Sequence, residues 1–294
     1  MSTTTSAMLP RREYKNGIKL SIIGFGGMMV KDATAETSAA RVAEAVERGV
    51  NYFDVAPQYG NAELMLGPAL QPYRKDCFLA CKTERRDATG VESEMKRSLE
   101  RLKTDHFDLY QLHAISEVGK DVDAVFAKGG AMEFIDKAKK DGRVRHVGFS
   151  AHSVEAALAA MDRYDFDSML FPLNFATFLK GNFGPQMLEQ AQKRGVARLA
   201  LKAMAKQKWP ANHPDRKKYP NCWYEPLTDP AEGELGLRFT LSEPVTAAIP
   251  PGDWELFKRA MDYAGRFKPV SEAEKGNLAQ MAESLDPIFR FQGA

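Results

Sequence analysis

The chain has 294 residues, 44% of them apolar and 27% charged, the composition of a folded globule rather than of a disordered or fibrous chain. Forty-one basic against thirty-nine acidic residues leave a net charge of +2 with no long run of one sign, which offers nucleic acid no electrostatic footprint. Three cysteines are too few for a disulfide framework or a four-thiolate metal site and point to a reducing compartment.

In chain order, residues 1–13 are polar and lack an apolar stretch before the Arg11-Arg12 pair. They read as a flexible tail, neither a secretory signal nor a membrane anchor, and the expected location is the cytoplasm. Lys15-Asn16-Gly17-Ile18 sets Asn-Gly between short extended pieces, the signal of a β-hairpin able to plug the lower end of a barrel. Three places then repeat one phrase: Glu47-Arg48-Gly49-Val50 before Tyr52-Phe53-Asp54, Lys140-Asp141-Gly142-Arg143 before His146-Val147-Gly148-Phe149, and Lys193-Arg194-Gly195-Val196 before Leu199-Ala200-Leu201. Basic side chains suit the negative end of a helix, Gly takes a left-handed turn after it, and a short apolar run follows at strand length. Joints of this kind imply parallel strands.

Between the joints, apolar residues recur at helical spacing, as in Val91, Met95, Leu99 and Leu102 or Val154, Ala157, Leu158 and Met161. The intervening strands are near-continuous apolar runs, as expected where both faces are covered. Counting places eight strands near 20–25, 52–54, 77–81, 107–113, 146–150, 168–173, 197–201 and 245–249, each followed by a helix. The reading is a single α/β domain over residues 14–294, a (β/α)8 TIM barrel with an N-terminal hairpin and an extra C-terminal helix. A doubly wound sheet is the alternative, but Gly24-Phe25-Gly26-Gly27 is not its G-x-G-x-x-G turn. Residues 202–229 form one long loop, rich in Pro and aromatics, that ends in the Asp229-Pro230 cap of the next helix. A connection of that length is expected to be functional. Ser271 and Glu274 make a capping box that opens the last helix.

In a barrel of this type the active site lies at the C-terminal ends of the strands. Asp54 ends the second strand, Tyr59 follows it, Lys82 ends the third and His113 ends the fourth, so the four converge on one rim. Carbonyl reduction needs a proton donor. A Tyr with a pKa of about 10 becomes a useful one when a nearby cation stabilises its phenolate, which a Lys ammonium at roughly 4 Å does by on the order of 4 kcal/mol. Asp54 then holds the Lys charged and aimed, and His113 hydrogen-bonds the carbonyl oxygen.

The segment Tyr52-Phe53-Asp54-Val55-Ala56-Pro57-Gln58-Tyr59-Gly60-Asn61-Ala62-Glu63 resembles the signature of the aldo-keto reductase superfamily. Cys81-Lys82, Asp108 through His113, Arg143 through Ser150 and Ile249-Pro250-Pro251-Gly252 are similar to that family's later motifs, in order and at barrel spacing. The resemblance implies hydride transfer between a nicotinamide dinucleotide lying across the barrel mouth and a small-molecule carbonyl or alcohol, with no metal. It places the cofactor, NADP by family habit with NAD as the other option, against Gly26, Gly27 and Met28, against Ser150 and Asn174, against Leu201, Lys202, Ala203 and Met204, and against Pro250, Gly252 and Asp253. Departures from the family pattern are Ala151 in place of an Asn, Leu170 in place of a Gln, Leu201 in place of an aromatic, and Pro251-Gly252-Asp253 where basic residues often meet a 2′-phosphate. His152 is a substitute partner for the nicotinamide amide. Asp253 could instead receive a ribose hydroxyl, the logic by which acidic residues favour NAD. With no Cys after Cys222, a C-terminal iron–sulfur cluster is excluded by count.

Two other functions compete. A nucleotide-binding regulatory or sensing protein with little turnover fits the missing amide contacts but not the intact Tyr and Lys pair. A metal-dependent isomerase or hydrolase using His113, His146 and His152 would need His146 at the catalytic rim, whereas it starts its strand.

Overall fold

The computed structural model describes residues 8–293, so the first half of the expected tail lies outside the described residues. Strands β1 (Arg11–Lys15) and β2 (Ile18–Ser21) pair antiparallel across a tight turn. Asn16 and Gly17 both have positive φ, 52° and 81°, as a two-residue hairpin turn demands. Regular structure thus begins at Arg11, ahead of the expected boundary at residue 14, because Arg11, Arg12 and Glu13 pair with Ser21, Leu20 and Lys19.

The barrel follows with strands β3 (Phe25–Gly26), β4 (Tyr52–Asp54), β5 (Phe78–Thr83), β6 (Phe107–Ile115), β7 (Val144–Ala151), β8 (Ser168–Pro172) and β9 (Ala197–Leu201). After β9 comes an antiparallel ribbon, β10 (Ala205–Lys208) with β11 (Tyr224–Pro226), and then the eighth barrel strand, β12 (Ala247–Ile249). The eight strands are parallel neighbours in one sheet, and a bridge between Ile23 and Ala248 closes it. The first barrel strand is much shorter than the expected 20–25. Leu20 belongs to the hairpin, while Ile22 and Gly24 bond to Pro10 and Ala248 on opposite sides.

Helices α1 (Ala35–Glu47), α2 (Ala62–Leu70), α3 (Ala88–Leu102), α4 (Ala124–Phe126), α5 (Ala131–Lys140), α6 (Val154–Arg163), α7 (Phe175–Leu179), α8 (Pro185–Lys193), α9 (Pro230–Ser242) and α10 (Trp254–Gly265) lie between and after the strands. The extra helix α11 (Glu272–Glu283) opens with the expected capping box between Ser271 and Glu274. Gly49, Gly142 and Gly195 at the three repeated joints have φ of 97°, 80° and 67°, the left-handed turn that lets each helix hand over to a strand.

Two large apolar clusters, and a small third one of Ala205, Tyr224 and Ile288, fill the described molecule. The largest lies between strands and helices. The second contains Tyr52, Phe78, Ala80, Leu109, Leu170, Leu199, Ala247 and Ile249, together with Tyr14 and Leu20 of the hairpin. Its members alternate along each strand, which marks them as the barrel interior. The Tyr14 hydroxyl donates to Ser168 Oγ at 3.1 Å and its ring meets the His146 ring edge-on at 5.4 Å, so the hairpin closes the end where the strands begin. His146 therefore sits at the plugged end, as its place at the start of a strand implies.

The candidate active site at the strand ends

Inward alternation carries straight into the site. Tyr52 and Asp54 share one face of β4, Phe78, Ala80 and Lys82 one face of β5, and Leu109, Gln111 and His113 one face of β6. The registers that align Asp54 with Ala80 and Lys82 with Gln111 bring these side chains together above the apolar interior.

Asp54 is buried and fully partnered. One oxygen pairs with the Lys82 ammonium, and the other accepts from Gln111 Nε2 at 2.9 Å and from the Tyr52 hydroxyl at 3.3 Å. Burial works against the charge on Lys82, but Asp54 and then Tyr59 outweigh it and raise the lysine above its ordinary pKa. The ammonium lies 5.3 Å from the centre of the Tyr59 ring, and the His113 ring meets Tyr59 edge-on at 5.9 Å. The structure therefore brings all four residues expected from the sequence into one cluster.

The electrostatics differ from the simple expectation of a lysine that lowers a tyrosine. Withdrawal of the hydroxyl from water raises Tyr59 above a free phenol, and this outweighs the opposing pull of Lys82. Because Asp54 sits on Lys82, Tyr59 faces a neutralised pair rather than a bare cation. His113 is pushed down to about 2, by burial first and Lys82 second, and is neutral. Its Nδ1 faces Gln58 Oε1 at 3.3 Å and Glu84 Oε1 at 3.5 Å. The next residue, Ala114, takes a left-handed φ of 55° and donates its N–H to Ser150 Oγ at 2.8 Å.

Beside Tyr59 opens a cavity of about 270 Å³ whose walls include Gly26, Met28, Asp54, Leu170, Leu201, Lys202, Pro250 and Gly252. Of the residues expected at a cofactor, Gly26, Met28, Leu201, Lys202, Pro250 and Gly252 line it. The others do not. A Cβ on Gly27 would lie 2.8 Å from Val55 Cγ2, so that glycine answers to packing. Ala203 and Met204 are fully buried, and Ser150 is tied to Ala114. Asn174 caps α7 through Oδ1, leaving Nδ2 buried without a partner. Asp253 caps α10, accepting from the Leu256 N–H at 3.0 Å. His152, the proposed substitute for the missing Asn, faces the Lys202 ammonium at 3.4 Å and stacks on Phe289.

The long connection is folded rather than open. The ribbon β10–β11 anchors it, Trp209 Nε1 donates to Cys222 O at 2.8 Å, and Asn221 Nδ2 donates across the mouth to Met28 O at 3.4 Å. Asn221, Trp223 and Tyr224 reach the cavity wall, while Arg216, Lys217 and Lys218 sit in a 3-10 turn at Pro214–Lys218. Sequence reasoning missed Gln111, Gln58, Lys31 and Phe289. Counting back two residues from His113 would have found Gln111. Phe289 lies in an irregular tail with no pattern to mark it. Among the described residues, no three His, Cys, Asp or Glu side chains gather as metal ligands, and no helix is long and apolar enough to cross a membrane.

Comparison with known proteins agrees with this fold. The family model described as the aldo/keto reductase family matches residues 22–280. Over 162 residues the chain is 32% identical to L-galactose dehydrogenase of Arabidopsis thaliana, covering 50% of each protein, and over 159 residues it is 31% identical to the oxidoreductase YqkF of Bacillus subtilis, covering 49% of each. These alignments span about half the length of the curated relatives. The fold is similar to that of an aldo-keto reductase from Bacillus halodurans in its holo form, with a TM-score of 0.73 at 20% identity over 95% of this chain and 98% of that one. An aldo/keto reductase from Brucella melitensis gives 0.68 at 18% identity over 94% and 98%. With eight parallel strands, the hairpin plug and a family match across most of its length, the chain belongs to the aldo/keto reductase family.

Proposed function

We propose that the chain is an NAD(P)-dependent oxidoreductase that interconverts a small-molecule aldehyde, ketone or sugar carbonyl and its alcohol, with Tyr59 as the general acid and base. The observation that carries this reading is the buried Lys82–Asp54 pair under the Tyr59 ring, beside a neutral His113, at the wall of a cavity.

A nicotinamide dinucleotide supplies or accepts the hydride when bound. The residues present suit it: Gly26 and Gly252 line the cavity with backbone alone, and Gln111, whose Nε2 donates to the cavity-lining Asp54, keeps its buried Oε1 unpartnered as an acceptor for a carboxamide N–H. At about 270 Å³ the cavity suits a nucleoside end, with the remainder lying along the rim toward Met28 and Asn221.

In the reductive direction Tyr59 gives its hydroxyl proton to the carbonyl oxygen, and Lys82 stabilises the phenolate left behind. Asp54 keeps Lys82 charged and fixed, held in turn by Gln111 and Tyr52. His113 stays neutral and offers a hydrogen bond without competing for the proton. To donate from Nε2 it needs the tautomer in which Nδ1 accepts, which requires the Gln58 amide to turn and the Glu84 carboxylate, an acceptor only, to move away from Nδ1.

We infer NADP as the cofactor with NAD also accepted. Lys258 is paired with Glu255 and Arg259 with Thr228 O, whereas Arg216 and Lys217 have no ion-pair partner among the described residues. Three unpaired, buried thiols fit a cytoplasmic location. The test is steady-state oxidation of NADPH and of NADH with a panel of aldehydes and ketones, alongside quenching of Trp fluorescence by each nucleotide. Turnover with at least one nucleotide is expected. Binding of both without turnover would make the chain a sensor, and binding of neither would end the oxidoreductase reading.

A further inference from the structure

Lys202 directly follows β9 with a left-handed φ of 62°, a conformation that side chains other than Gly seldom adopt, and it lines the cavity beside Tyr59. Its ammonium lies 3.4 Å from His152 Nε2 and 5.5 and 5.6 Å from the ring centres of Trp223 and Phe289. These three groups are uncharged, and the charge that acts on it is the cation Lys82. The next lysines along the chain, both in β10, show the ordinary alternative: Lys206 pairs with Glu232 at 3.3 Å and Lys208 with Asp286 at 3.4 Å. Among the described residues Lys202 has no carboxylate, although it is half-buried, and a cation so placed is costly unless something anionic joins it.

We propose that Lys202 and His152 form an anion-recognising subsite, and that the carbonyl substrate carries a carboxylate or comparable small anion a few bonds from the reacting carbon. The inference rests on the oxidoreductase reading and names the substrate class for the same site. Burial and the nearby Lys82 hold Lys202 down to about 7, so an entering anion meets an amine that readily takes up and keeps a proton. His152, pushed down to about 3 by burial and Lys202, stays a neutral acceptor and spaces the amine without neutralising it. Trp223 and Phe289 cover the apolar arm that joins carbonyl and anion. The other source of anionic oxygens is the pyrophosphate of the nucleotide. The substrate is favoured because Lys202 shares the cavity wall with Tyr59 and Asp54, whereas the rim assigned to the rest of the nucleotide runs toward Met28 and Asn221.

Two measurements separate the possibilities. Succinate titrated into the full chain, read by Trp fluorescence, should bind, and Lys202→Met should weaken it by about 10- to 100-fold, the scale of one charge-assisted hydrogen bond, while Lys202→Arg retains most of it. In turnover with NADPH, the ratio of kcat/KM for succinic semialdehyde over butanal should fall by a similar factor in Lys202→Met and recover in Lys202→Arg. Equal succinate binding by wild type and Lys202→Met would overturn the subsite whether or not the protein turns over. A raised Kd for NADPH in Lys202→Met with an unchanged substrate ratio would assign the charge to the nucleotide and overturn the substrate claim. Failure of wild type to turn over any member of the aldehyde and ketone panel, while succinate binding still depends on Lys202, would sink the oxidoreductase reading and leave the anion subsite standing.

Discussion

Tyr59 keeps its proton to a higher pH than a free phenol because loss of water outweighs the pull of a lysine already paired with Asp54. Since its pKa lies above about 10, carbonyl reduction should hold level from about pH 6 to 9, and alcohol oxidation, which needs the phenolate, should climb across that range. Profiles of kcat in both directions check this, and reduction that already declines below about pH 8 would mean that Lys82 wins. The two site histidines make a separate prediction about stability. Their folded pKa values, about 2 for His113 and about 3 for His152, lie below the unfolded value of about 6.5. Below about pH 6.5 the unfolded chain takes up protons that the folded chain refuses. Stability is therefore intact above that pH and is lost on acidification by at most about 1.4 kcal/mol per pH unit for each histidine. His152→Asn should flatten the urea-unfolding decline between about pH 6.5 and 4 by up to one proton; an identical slope would show that His152 charges freely in the fold. At this scale Asp54, Tyr59, Lys82 and His113 were legible because each lies near or just past the C-terminal end of a strand. Gln111 was hidden inside an apolar run, and the solitude of Lys202 depends on residues distant in sequence, among them His152 and Phe289.

The helix-to-strand joints were the most readable elements, since a basic residue one or two positions before Gly states both the end of a helix and the positive φ that follows it. The ribbon within 202–229 was not readable. Ala205-Lys206-Gln207-Lys208 and Tyr224-Glu225-Pro226 are short, partly polar and separated by a long excursion, so neither shows a strand pattern alone. The excursion between them crosses the mouth to Met28 and contributes Asn221, Trp223 and Tyr224 to the cavity wall, which gives its length a physical use. If it clasps the nucleotide, limited proteolysis between residues 209 and 223 should be suppressed by saturating NADPH. Equal cleavage with and without nucleotide would make the crossing a fixed wall rather than a clasp.

For the molecule as a whole, parallel strands put every strand end of one sense at the same rim, and the hairpin fills the other end with Tyr14 and Leu20. One rim is thus free for chemistry, which is why residues 54, 59, 82 and 113 meet despite their separation along the chain. Barrel closure was legible from the count of helix-and-strand repeats. The inward and outward faces were not, because strands buried on both sides show no polar alternation and only the packing separates Tyr52 from Phe53. The central claim is that this rim is a reductase site in which Tyr59 moves the proton, and the Tyr59→Phe variant tests it by removing one oxygen from a ring that otherwise stays packed. The measurement is single-turnover NADPH oxidation with an aldehyde that the wild type reduces, paired with NADPH binding by Trp fluorescence. The account predicts a rate lower by about 10²- to 10⁴-fold with nucleotide affinity nearly unchanged; a variant that keeps more than about a tenth of the wild-type rate would contradict it.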